Sequence, residues 1–149
     1  GMSGDAMAYT EDGYKYAEVM IKLPPDWKTD ENLFVDPKYS WPITILRKVA
    51  YLPHLHKNHY IDESTIIPFG HPGEPPVPFT EGTKLSSVML IKSREIPKYI
   101  YNEEISLTFY TLVPIAPEEE KLVRDLGSEK VVEMLESKDI VDLKRKLLV

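Results

Sequence analysis

Residues 105–115, ISLTFYTLVPI, run for eleven positions without a charged side chain. From Leu107 onward nearly every position is apolar, aromatic or β-branched, with no alternation of apolar and polar residues. A strand with one wet face alternates, whereas a strand covered on both faces is apolar throughout. The stretch is therefore expected in the middle of a sheet. Working outward, residues 85–92 (LSSVMLIK) form a second strand through Val88, Met89, Leu90 and Ile91. Tyr99 to Tyr101 supply the outer part of a hairpin, and residues 64–68 are a short β-branched run. Residues 15–23 place Ala17, Val19, Ile21 and Leu23 in alternation with Glu18, Met20 and Lys22, a strand with one buried face that stops at Pro24 and Pro25.

Helices are expected on either side of these strands. Ser40 is a candidate cap for a helix opening at Trp41 and Pro42, with Ile43, Leu46, Val49 and Ala50 at helical spacing and Pro53 as its stop. Pro117 followed by Glu118, Glu119 and Glu120 reads as a second start, since carboxylates in a first turn meet the exposed amide dipoles favourably. Gly127 suits the close of that helix, and Ser128 the cap of another bearing Val131, Val132, Met134 and Leu135. Residues 26–40 form an excursion anchored by Trp27 and Phe34, the proline cluster between Pro68 and Pro78 a stiff surface connection, and residues 140–149 an edge strand. The sum is a single α+β domain over residues 1–149, with a mixed, largely antiparallel twisted sheet and packed helices.

Composition bounds the chemistry. A chain of 149 residues, 42% hydrophobic and 28% charged, can bury one core and is unlike a disordered segment. The absence of cysteine excludes disulfides, thiolate metal sites and cysteine nucleophiles. With 18 basic against 24 acidic side chains the formal charge is -6, unsuited to binding nucleic acid or an anionic membrane and better suited to a basic partner. No apolar run is long enough to span a bilayer and the opening GMSGDAMAYT lacks the pattern of a signal peptide, so a cytoplasmic location is expected.

One cluster could carry chemistry: His54, His56, His59, Asp62 and Glu63 offer imidazoles and carboxylates within ten residues. Ligands on one helical face need a separation of three or four, which His56 and His59 alone among the histidines satisfy, and they lie past the proline expected to end the helix. Polar loop residues are the preferred reading, with a small metal-dependent hydrolase using this loop as the alternative. Ser86 and Ser87 lack the glycines of a nucleophile elbow, and adjacent glutamates at 118–120 face different ways on a helix. No catalytic residue, metal or cofactor is expected. Tyrosine occurs 9 times, a residue that combines contact area with a polar handle at interfaces; Trp41 reads as a packing anchor, whereas Tyr51 can be either core or contact.

Taken in order, LPPDW, WPITILRKVAYLPH, LSSVMLI, TFYTLVPIAPEEE, LGSEKVVEMLE and VDLKR resemble the suppressor-of-fused domain in its stand-alone bacterial form, over about residues 3–145. The resemblance implies an α+β fold and a binding role without catalysis. It places partner-contacting types at Tyr51 and at or beside Glu63. It also implies a partner segment that adds to a strand edge, and, through bacterial relatives, an immunity protein that neutralises a toxin. The opening GMSGDAM resembles a segment that follows an earlier strand in fuller members, which implies a chain lacking the family's N-terminal strand.

Overall fold

The computed structural model describes residues 2, 5–10, 13–55 and 60–149, with backbone alone for 8–10, 13 and 14. In chain order the elements are β1 (Ala8–Thr10), β2 (Gly13–Met20), α1 (Asn32–Val35), α2 (Pro37–Leu55), β3 (Ile66–Pro68), β4 (Ser87–Lys92), β5 (Tyr99–Asn102), β6 (Ile105–Ile115), α3 (Glu120–Leu126) and α4 (Ser128–Met134). The strands form one six-stranded sheet in the order β1-β2-β6-β4-β3, with β5 also paired to β6. Every pairing is antiparallel except that of β2 with β6. The apolar stretch is central, as its composition requires.

Burial follows from what covers each half of β6. Tyr110 to Ile115 pair with β4, whereas Ile105 to Leu107 pair with β5, and full burial begins only at Tyr110. Strand alternation sends Val88, Leu90 and Leu112 to one face, where Trp41, Ile45 and Val49 of α2 pack. Met89, Ile91, Val113 and Ile115 meet Val123, Val131, Val132 and Leu135 of α3 and α4 on the other. Trp41 is the expected anchor, stacked on Phe79 at 4.3 Å and edge-on to Trp27 at 5.9 Å.

The long helix departs from the expected bounds at both ends. It begins at Pro37, because Asp36 accepts the Lys38 amide at 3.0 Å and Pro37 needs no donor there, so the Asp-Pro pair supplies the start one turn before Ser40. Pro53 does not stop it; the helix runs to Leu55 with both Pro42 and Pro53 inside. Each proline forfeits a bond to the carbonyl four residues earlier, but Trp41, Ile45, Val49 and Pro53 form a buried stripe at four-residue spacing, and that packing prevails. Phe34 is exposed and is not an anchor. Ser128 gives no cap bond to α4; its hydroxyl donates to the Glu63 carbonyl at 3.0 Å, and Gly127, at a φ of +87°, makes the turn between α3 and α4.

The C-terminal tail is a further correction. Only Ile140 bridges to Lys22, in parallel, and the remainder forms no strand. Asp142 accepts the Lys144 amide at 3.0 Å and turns the chain inward, bringing Arg145 onto the fully buried Glu119. The two Arg145 nitrogens donate to the two Glu119 oxygens at 2.7 Å each, and one donates to the Pro114 carbonyl at 3.0 Å. A side chain expected only to serve a helix dipole is thus the seat of a tail clamp. No described helix is long and apolar enough to cross a membrane.

Candidate partner-binding face

The C-terminal turns of α2 carry large side chains outside both cores. Tyr51 and Leu55, four residues apart and therefore on one helix face, are 65% and 68% exposed, and His54 beside them is also exposed. Tyr51 is thus a surface residue. Residues 56–59 lie outside the described residues, and with them the expected ligands His56 and His59. Beyond them Tyr60 is 55% exposed, while its neighbour Ile61 is buried and ties the returning chain to the core.

Asp62 to Thr65 form a turn closed by its own polar groups. Asp62 Oδ1 accepts the Ser64 amide at 2.8 Å and its hydroxyl at 2.5 Å, the Asp62 amide donates to the Thr65 hydroxyl at 3.0 Å, and the Thr65 amide donates to the Asp62 carbonyl at 3.1 Å. Glu63 is thereby held at the rim of the sheet. Its carboxylate pairs with Lys92 at 3.0 Å, and its carbonyl takes the Ser128 hydroxyl from the opposite side. The phenol of Tyr110 is pushed up to about 12, by burial first and then by the negative charges of Glu63 and Asp62. Next to this turn an open groove of 580 Å³ is lined by Glu63, Ser64, Ile66, Val123, Gly127 and Ser128.

Among the described residues no hydrogen bond or ion pair joins Tyr51 to Glu63, and no group of three or more His, Asp or Glu is placed to hold a metal. The two carboxylates of the expected cluster are already engaged, Asp62 in its turn and Glu63 with Lys92. Ser86 and Ser87, at the start of β4, are both buried and offer no exposed hydroxyl. The expected strand edge near Glu63 is short: β3 spans three residues, Pro68 has no amide, and the Pro68 and Gly70 carbonyls are taken by Lys48 Nζ at 2.6 and 2.9 Å. Burial lowers the Lys48 pKa, since no carboxylate offsets it.

Sequence reasoning missed the Glu119–Arg145 pair, whose partners stand 26 residues apart and whose local signals both read as surface.

The fold is an α+β sheet flanked by helices, with aromatic and charged side chains exposed at its rim. The chain belongs to the suppressor of fused protein family, whose model matches residues 1–146. No curated protein matches it.

Proposed function

We propose that the domain acts without catalysis, by binding a protein partner through the exposed side chains of Tyr51, Leu55 and Tyr60 and through the turn that carries Glu63. The partner in this reading is a basic toxin domain, and the domain its immunity protein. The observation that carries the reading is the exposure of Tyr51 and Leu55 on a helix whose opposite side is rigidly packed. Such side chains bury ring and methyl area on binding without first leaving the core. Two further points support it: the formal charge of -6 favours encounter with a basic surface, and family membership supplies a binding role. β3 spans only three residues and is a poor edge for strand addition, so side-chain contacts carry most of the affinity in this reading.

The test has two parts. Titration calorimetry against the toxin domain encoded nearest to this gene measures binding, with Tyr51→Ala expected to weaken it by roughly 1 to 3 kcal/mol. Co-expression then asks whether the domain relieves the growth arrest caused by that toxin. Binding without relief refutes the immunity role, and affinity unchanged by both Tyr51→Ala and Glu63→Lys refutes this face.

A further inference from the structure

β5 is another open edge of the sheet, far more exposed than β3. β5 pairs with β6 along one side and with no described strand along the other. Tyr99, Ile100 and Tyr101 are 57%, 66% and 69% exposed, and none belongs to either core cluster. The four residues of β5, YIYN, include no charge. Monomeric folds blunt such edges with a charge inside the strand, because bare amides and carbonyls beside apolar side chains template the addition of another strand.

The charges stand instead at the two ends, and they have opposite signs. Lys98 precedes the strand; Glu103 and Glu104 follow it in the turn to β6. Asn102 Oδ1 accepts the amides of Glu104 and Ile105 at 2.8 and 2.9 Å, which fixes that turn with both carboxylates exposed. Two parallel copies of this edge would set like charge against like. Two antiparallel copies set the lysine of each beside the glutamates of the other.

We infer that β5 is a self-pairing edge, through which two copies of this chain join antiparallel about a two-fold axis normal to the sheet. Such an axis requires one residue to face its own copy. With Ile100 at the centre, Tyr99 of each copy faces Tyr101 of the other, and Lys98 faces Asn102, next to Glu103 and Glu104. Cross-strand aromatic pairs on both sides of an apolar centre stabilise the join, and the end charges select its direction. The bulge between Ile100 and Asn102 confines pairing to a short stretch, so the contact is small and the dimer forms and dissociates with concentration. This surface is separate from Tyr51, and its failure leaves the face on α2 untouched.

Sedimentation equilibrium of the full chain over a wide concentration range is the test. The wild-type average mass is expected to rise from one chain toward two. Ile100→Lys, which sets two ammonium groups face to face on the axis, and Lys98→Glu, which makes both ends acidic, should each raise the dimer dissociation constant roughly tenfold or more. The triple change Lys98→Glu, Glu103→Lys, Glu104→Lys should restore the dimer, an outcome that general stickiness of the tyrosines would not produce. Thermal melts of each variant check that the fold is retained, with Tyr99→Thr as a second apolar deletion if Ile100→Lys unfolds. A wild-type mass of one chain throughout overturns the inference, as does a dimer indifferent to Ile100→Lys or a swap variant that stays monomeric.

Discussion

Replacing Arg145 by Met should be among the most damaging single changes in the chain, although Arg145 lies only four residues before Val149 in a segment without regular structure. Glu119 has no solvent exposure, and four donors hold its carboxylate: two Arg145 nitrogens at 2.7 Å and the amides of Ala116 and Leu148 at 3.0 Å. Burial pushes the Glu119 pKa up, but the Arg145 bond, the two amides and the Arg145 charge together outweigh burial, and the net shift is downward. The substitution removes both charge-assisted bonds and leaves a carboxyl in the core without its counter-charge, so that it must take up a proton or stay ionised and unpaired. Charge-assisted bonds contribute about 1.5–3 kcal/mol each, and an orphaned partner of a buried pair costs about 3–5 kcal/mol. A deficit of about 3–5 kcal/mol is therefore expected, a large part of the roughly 5–15 kcal/mol of a typical domain. The pH dependence is diagnostic. In the wild type the lowered pKa gives stability that is present above the unfolded carboxylate value and lost as pH falls through the folded one. In Arg145→Met burial is opposed by the amides alone, so Glu119 holds its proton in the folded state and stability falls as pH rises past the unfolded value. Urea denaturation from about pH 4 to pH 8 should show the gap between variant and wild type widening toward neutrality. A gap below about 1 kcal/mol, or one constant across that range, would falsify the assignment of Glu119 as a buried anion dependent on Arg145.

Trp41→Ala should destabilise by about 3–5 kcal/mol, since the indole stacks on Phe79 inside the core; denaturant melts check it. Tyr51→Ala should change stability by no more than about 0.5 kcal/mol, and a larger loss by the same melts would place the ring in the core. The Tyr110 phenol should titrate near 12, read from its ring carbon signal in NMR, and Glu63→Gln should lower that midpoint by removing a nearby negative charge. Because the folded pKa lies above the ordinary value of 10.0, Tyr110 retains its proton longer when folded, and its contribution to stability should decline as pH rises from there toward 12.

What the sequence made legible is what periodicity and burial control together. Residues 105–115 announced a central strand because they carry no charge and are mostly apolar, aromatic or β-branched, and the helices after Pro117 and at Ser128 announced themselves through apolar spacing and a glycine, although the first opens as a 3-10 turn and becomes α-helical only at Glu120. The start of α2 was misplaced because two proline signals stand in line, Pro37 and Pro42, and only packing decides between them. The family was legible from ordered motifs, whereas the sequence leaves Tyr51 open between core and surface, and it is the packing of α2 that puts the ring at the surface. Glu63's bond to α4 and the clamp on Glu119 were not legible, since each joins residues distant in sequence whose identities suggest solvent.

The clamp and the two exposed surfaces belong to one physical arrangement. Two apolar clusters, one on each face of the sheet, fix α2, α3 and α4, and Arg145 closes the tail over the end of β6 where it enters the helical turn. That end of β6 is fully buried, while its other end, paired with β5, is only half covered. The apolar side chains at Tyr51 and Leu55 lie at the tip of a helix whose body is pinned, and those of β5 lie at the tip of a hairpin whose base is pinned. Surfaces supported in this way lose little conformational entropy on association, because the backbone that presents them is already ordered. A partner on α2 and a second copy on β5 would therefore bind independently, each using contact area that the fold holds in place and does not need for its own stability.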